Sequence, residues 1–285
     1  GGQRAALDRA AGIAGRTIST TFLVAVLAFL GLPIIIVVIM SLNAGGFMRF
    51  PPDGLSLRWF QAFFANAQWM SALSTSLRLA VMTTVAGLGM GALAAYAFAR
   101  TSGRLPTLAM FLVISPMVMP PIIVAIGLYG LYVPAGLRAT ELGIVIAHLV
   151  GALPFIVTIM TAGFARFDDN LRRASLILGA GPWRTFRRIV LPLMLPSFVA
   201  AAAFCFIHSF DELVISQIIA GVRLQTLPMR IFGNLQNEID PTVAAVGVVV
   251  IGITLLALAV IELAKRLARS PAARGTTAHS LAGTA

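Results

Sequence analysis

Between Thr17 and Met48 the chain carries no charged side chain, and the heart of that run, Phe22 to Leu42, is long enough to span about 30 Å of hydrocarbon. Five further intervals repeat the pattern: Leu79 to Ala99, Leu105 to Leu137, Leu142 to Ala165 with His148 inside it, Ile189 to Phe210, and Pro241 to Ile261. In hydrocarbon each backbone N–H and C=O must find a partner within the protein, which a continuous helix achieves by itself. The pattern therefore predicts an all-α polytopic membrane protein with six transmembrane helices and both ends on one side. Composition agrees: 59% hydrophobic and 11% charged residues, at a mean hydropathy of +0.94, exclude an ordinary soluble fold. A cleaved signal peptide has a shorter apolar region than the first run and a small-residue cleavage site, so that run reads as an uncleaved span.

The formal net charge of +11 invites a nucleic-acid partner, but the basic residues flank apolar spans and are not interleaved with exposed aromatics. We read no nucleic-acid site. Positive-inside topology accounts for the charge instead: fifteen of the 21 Lys and Arg fall on the side of the termini, and Arg49, Arg58, Arg78, Arg138, Arg223 and Arg230 fall on the other. Both termini are then cytoplasmic. The implied organisation is a cytoplasmic tail over 1–16, a transmembrane domain over 17–267 with a polar loop at 166–191, and a flexible cytoplasmic tail over 268–285. Trp59, Phe60, Phe63, Phe64 and Trp69, within Pro51 to Leu73, read as an interfacial segment. The single cysteine, Cys205, lies in an apolar run, forms no intrachain disulfide and reads as a packing residue.

The long insert from Asp168 to Pro196 is basic and helix-patterned. Asp168 and Asp169 favour a helix start; Leu171, Ala174, Ser175 and Leu178 then recur at helical spacing, and Gly179 tolerates the left-handed conformation that ends a helix. After Ala180, Gly181 and Pro182 suit a second start. Trp183, Phe186, Ile189 and Val190 make its apolar face opposite Arg184, Arg187 and Arg188, and Pro192 and Pro196 are expected to bend or end it. Read from its chemistry alone, the loop docks on a partner or lies on anionic lipid.

The spacing Arg173-Ala174-Ser175, Gly179, Ile189-Val190-Leu191-Pro192 resembles the E-A-A…G…I-x-L-P loop of the membrane subunits of binding-protein-dependent ABC importers. Arg173 stands in place of the Glu and Ser175 in place of the second Ala. The resemblance implies that Asp168, Leu171, Arg173, Ala174, Ser175, Leu178, Gly179, Ala180, Pro182 and Trp183 form the coupling surface for a separate cytoplasmic ATPase. It also implies a second permease subunit, identical or homologous, a periplasmic solute-binding protein, and a place in the bacterial inner membrane. The chain has no G-x-x-x-x-G-K-[ST] of its own, so ATP hydrolysis falls to the partner and the chain is a transport subunit, not an enzyme.

Two features inside the spans bear on a path. Pro116, Pro120 and Pro121 interrupt the third span, which marks either a lining or a simple kink. Gly87-x-x-x-Gly91 in the second lets helices approach closely. The fifth span ends His208-Ser209-Phe210-Asp211-Glu212, and a carboxylate deep in a bilayer costs roughly 2.5 to 3.5 kcal/mol, so Asp211, Glu212, Phe210 and Pro120 are candidate path residues. A solvated helix end is the alternative. Together with Thr226-Leu227-Pro228 and Glu238-Ile239-Asp240-Pro241-Thr242, that stretch resembles the spermidine/putrescine branch of these permeases, the whole resemblance covering roughly Ser74 to Leu267. It implies a polyamine, whose protonated amines suit an acidic position flanked by aromatics; other small cationic or amino-acid-like solutes belong to the same class. His208, Asp211 and Glu212 at i, i+3 and i+4 raise an intramembrane metallohydrolase, but a catalytic zinc needs three protein ligands and an activated water, and His148 has no nearby acid while His279 lies in the tail. No metal or cofactor is expected. A membrane scaffold or receptor without transport is the remaining reading.

Overall fold

The computed structural model describes residues 2–221, 223–237 and 240–269; Glu238 and Ile239, His279 and the tail beyond 269 lie outside the described residues. Twelve helices follow one another, and the only β pairing among the described residues is the isolated bridge between Asn43 and Leu55. They are α1 (Gly2–Ser41), α2 (Arg58–Ala65), α3 (Ala67–Arg100), α4 (Arg104–Ile114), α5 (Pro121–Ala135), α6 (Glu141–Ala165), α7 (Asp169–Ile177), α8 (Pro182–Thr185), α9 (Leu191–Phe210), α10 (Val214–Ile219), α11 (Leu227–Asn237) and α12 (Thr242–Arg269). Among the described residues, five stretches are long and apolar enough to cross a membrane, six if the bent pair α4–α5 is one span. The chain divides into two compact units, one formed by residues 1–65 and 234–250, the other by 66–233 and 251–285.

In the larger unit α3, α6 and α9 pack together, and glycines set how closely. A Cβ on Gly91 would fall 2.4 Å from Ile156 Cγ2, and one on Gly87 2.7 Å from Ile156 Cδ1, so α3 meets α6 backbone to side chain along the Gly87-x-x-x-Gly91 face. Toward α9, a Cβ on Gly151 would fall 2.6 Å from His208 Nε2 and one on Gly163 2.4 Å from Ser197 Oγ. Leu79, Ile144, Ile156, Val157, Met160, Ala201 and Cys205 close this core, none more than 1% exposed. Cys205 is thus a packing residue, as its setting in the sequence suggests.

The interval from Leu105 to Leu137 is not one straight span. α4 and the short turn Ser115–Met117 meet α5 at 106°, because Pro116 and Pro120-Pro121 withdraw three amide hydrogens where the ladder would continue. Pro120 sits exposed just ahead of α5 and Pro121 is its first residue. The prolines of the fifth span, expected to bend or end its helix, do not end it. The helix runs unbroken from Pro182 to Phe210, through one wide turn at Phe186–Val190 in which Leu191 N–H reaches back to Phe186 C=O. The wider turn lies immediately before Pro192, which has no N–H to place, and the helix continues through it. Ala67 to Leu73, read as interfacial, is the first part of α3, started by Asn66, whose side chain accepts from Gln68 and Trp69 N–H.

In the smaller unit a buried asparagine organises the turn after α1. Asn43 Oδ1 accepts from Gly45 and Asp53 N–H, its Nδ2 donates to Phe47 C=O at 2.9 Å, and its own carbonyl accepts from Trp59 Nε1 at 2.9 Å. Arg58 lies over the Trp59 ring and donates to Ala44 C=O. The loop is therefore internally bonded although it contains almost no regular structure.

Candidate functional site

The insert forms a helical hairpin. Asp168 caps α7 by accepting from Asn170 N–H at 2.9 Å. Its far end closes with paired bonds, Ala180 N–H to Ser175 C=O and Gly179 N–H to Leu176 C=O, a closure that requires a left-handed residue at 179. Gly179 supplies it, at φ +80°. Pro182 opens α8 on the other side, and the two arms are pinned by a buried hydrogen bond of 3.0 Å between the Ser175 and Thr185 hydroxyls. Ser175 thus has a use in the hairpin that an alanine could not serve.

Charge ties this hairpin to the helical core. The Asp169 carboxylate accepts from Arg100 at the end of α3 at 2.6 Å, from Arg172 at 2.8 and 3.0 Å, and from Arg173 at 3.3 Å. Hydrogen bonds from Arg172 and Arg100 hold its carboxyl well below the usual carboxylate range, and the same bond raises the Arg172 guanidinium. Arg100 also lies over the Tyr96 ring, which fixes its direction. Behind the hairpin, between α6 and α9, is a cavity of about 720 Å³ whose lining includes Arg166, Asp168, Leu171, Leu193 and Lys265. The hairpin is therefore strapped to α3 by charge while its flank is not packed solid.

At the turn the polarity inverts. Ile177 is 85% exposed, Leu178 86% and Trp183 72%, with Trp183 stacked on Phe186. Leu171, Arg173 and Ala174 are exposed and Ala180 is half-buried. Large apolar side chains are thus held outward by a bonded turn.

The second group of predicted residues lies where α9 ends. Phe210 is buried and stacked on Phe206, Asp211 is exposed at the helix end, and Glu212 turns its carboxylate onto Ile215 N–H at 3.0 Å, starting α10. Asp211 has no salt bridge among the described residues, and no group of three metal-binding side chains occurs among them. Pro120 belongs to the α4–α5 bend, so the four candidates occupy two separate stretches of chain.

The sequence gives no warning of what holds this corner. His148, fully buried in α6, makes hydrogen bonds with Ser209 Oγ at 2.7 Å and Ser216 Oγ at 2.9 Å, so one imidazole joins α6, α9 and α10. A neutral ring offers one donor and one acceptor, and the two serines take the complementary roles. Ser76 of α3 likewise accepts from Leu227 N–H at 2.8 Å and satisfies the start of α11 within the Thr226-Leu227-Pro228 stretch. The only available signal was compositional: polar residues in apolar spans need partners.

Comparison with known proteins decides the family. Residues 87–270 match the binding-protein-dependent transport system inner membrane component. The chain belongs to that family. It is 27% identical over 252 residues, 88% of its length and 95% of the relative's, to the spermidine/putrescine transport system permease protein PotC of Escherichia coli (strain K12). It is 28% identical over 231 residues, 79% and 82% of the two lengths, to the putrescine transport system permease protein PotI of the same organism. Among solved structures it shares its fold, at TM-score 0.64 and 16% identity over 91% of this chain and 96% of the other, with a bacterial ABC transporter involved in the import of the acidic polysaccharide alginate. A membership running from the second half of α3 through α12 makes this a transport subunit of an ABC importer, and the multi-pass inner-membrane location follows. A fold shared with an importer of an acidic polysaccharide carries no information on the solute of this family member.

Proposed function

We propose that this permease passes a polyamine of the spermidine/putrescine kind, delivered by a periplasmic binding protein, and that the 166–191 hairpin docks on a cytoplasmic ATPase that drives it. The hairpin's exposed Ile177, Leu178 and Trp183 are the observation that carries the docking half. In water such side chains are stable when covered, and a cleft in a soluble partner covers them at the end of a lever strapped to α3 through Arg100 and Asp169. Both termini are cytoplasmic in this reading, since the hairpin and the majority of the Lys and Arg then lie on the side where ATP is found. A second permease subunit faces this one across the path, and closing of two ATPase subunits on ATP favours one access state over the other.

Support for the solute comes from the naming of relatives over most of the chain and from an exposed, unbridged carboxylate, Asp211, beside the stacked Phe206 and Phe210. A carboxylate attracts a polyamine more strongly as water is excluded. Glu212, engaged by Ile215, is expected to matter less. Uptake of labelled putrescine and spermidine, normalised to the amount of complex recovered with its ATPase, is the test: Asp211→Asn lowers uptake and Glu212→Gln leaves it nearly unchanged. Undiminished uptake in Asp211→Asn removes the residue from the path. No polyamine uptake in the unmutated complex removes the solute and leaves the importer.

A further inference from the structure

The hairpin carries six arginines against two aspartates, and both aspartates are engaged inside it: Asp168 caps α7 and Asp169 accepts from three guanidinium groups. Asp168 is exposed and Asp169 about a third exposed, so the solvent-facing charge of the hairpin is mixed but predominantly positive. Arg173 is 70% exposed, its single bond to Asp169 shared with stronger ones, and Arg184, Arg187 and Arg188 are exposed with no carboxylate partner among the described residues. These last three stand at i, i+3 and i+4, and the exposed apolar Ile177, Leu178 and Trp183 belong to the same hairpin.

We infer that the partner surface receiving this hairpin is an acidic cleft with an apolar floor, so that affinity for the ATPase comes from burial of Ile177, Leu178 and Trp183 and partner choice from carboxylates facing Arg173, Arg184, Arg187 and Arg188. The inference rests on the docking reading above and adds the chemistry of the other side. Like charges left facing each other across an interface are costly, so a partner with a basic cleft is rejected. Anionic phospholipid is the competing source of negative charge. A bilayer is fluid, however, and gains nothing from a corner built to shape by a left-handed Gly179, paired terminal bonds and a buried Ser175–Thr185 contact. A preformed cleft does.

The test measures binding of the purified ATPase to the full-length permease in nanodiscs, as salt rises from about 0.05 M to about 0.5 M NaCl, where screening of exposed charges becomes nearly complete. The variants are Arg184→Gln with Arg187→Gln and Arg188→Gln, Arg173→Glu, and Ile177→Asp. The expected results are a weakening of about tenfold or more with salt, a similar weakening and a flattened salt dependence in the triple Gln variant, and weakening in Arg173→Glu. Salt-indifferent binding, or tighter binding by Arg173→Glu, overturns the acidic cleft. Ile177→Asp separates the two layers: if it abolishes binding while the arginine variants do not, docking stands and the charge inference falls; if it too binds normally, the docking reading falls. Repeating the series in phosphatidylcholine discs with and without phosphatidylglycerol completes it. Salt dependence that appears only with phosphatidylglycerol assigns the arginines to lipid and overturns the inference.

Discussion

His148 and Asp169 each hold several partners, and the two neighbourhoods they organise are built on opposite plans. Around His148 the imidazole and both serines face inward, α6, α9 and α10 close over them, and neighbouring glycines bring the helices together. Around Asp169 the carboxylate gathers arginines at a half-exposed position, while a few residues away Ile177 and Leu178 point outward. Where polar groups are turned in and apolar groups face hydrocarbon, the segment is finished. Where ion pairs strap a hairpin whose apolar tip is bare, the docking we propose would complete it. The contrast predicts that mutations in the first neighbourhood are felt as lost stability and those in the second as lost association.

The largest stability effect is expected at the α3–α6 contact. Gly91→Ala puts a methyl 2.4 Å from Ile156 Cγ2 and 3.1 Å from Ile156 Cβ, an overpacking that costs about 1–3 kcal/mol because the branched side chain is held close to its own backbone. Thermal unfolding of the solubilised subunit should drop accordingly, and Gly91→Ala with Ile156→Ala should lose less than the two single changes together. Additive losses would mean that the glycine face does not set the helix separation.

His148→Leu comes next. It orphans two buried hydroxyls, each worth about 1–3 kcal/mol unless the serine turns back to its own helix, so the cost should fall toward the lower end. Adding Ser209→Ala and Ser216→Ala should recover part of it, since replacing all partners by apolar groups removes the unmet demand. A triple variant less stable than His148→Leu would show that the serines serve something other than the imidazole.

Much of this was legible beforehand, and the omissions have physical causes. Charge-free intervals located the spans, and the Gly179 stop and the Gly181-Pro182 start located the hairpin, because these depend on neighbours in sequence. The wide turn at Phe186–Val190 escaped, since prolines that usually end helices did not end this one and no periodicity announces such a turn. Arg100–Asp169 and His148–Ser216 escaped because sequence pattern carries no information on pairings across 69 and 68 positions. Of the candidate path residues, Asp211 and Glu212 were expected to point about 100° apart on a helix, but the engagement of Glu212 by Ile215 N–H was not legible.

Asp169→Asn should have the smallest effect on stability, about 1 kcal/mol or less, since the cluster is close to a third exposed and water screens it. Its pH dependence has a definite sign. A carboxyl whose folded pKa lies below the unfolded value of about 3.9 contributes in full above that value and loses the contribution as pH falls toward the folded one. Wild type and Asp169→Asn should therefore differ by a constant amount from neutrality down to about pH 5 and converge only in stronger acid. Convergence near neutral pH would mean that the arginines do not hold the carboxylate as described.

The contrast between a finished core and an unfinished hairpin is tested most directly by Leu178→Asp. Leu178 is 86% exposed and contributes little to the fold, so the variant subunit should insert and unfold thermally like wild type. Co-purification of the ATPase with the tagged permease, scored beside that unfolding temperature, should fall to background. Retention of the ATPase at the wild-type ratio by a normally folded Leu178→Asp permease would contradict the assignment of this hairpin as the docking surface.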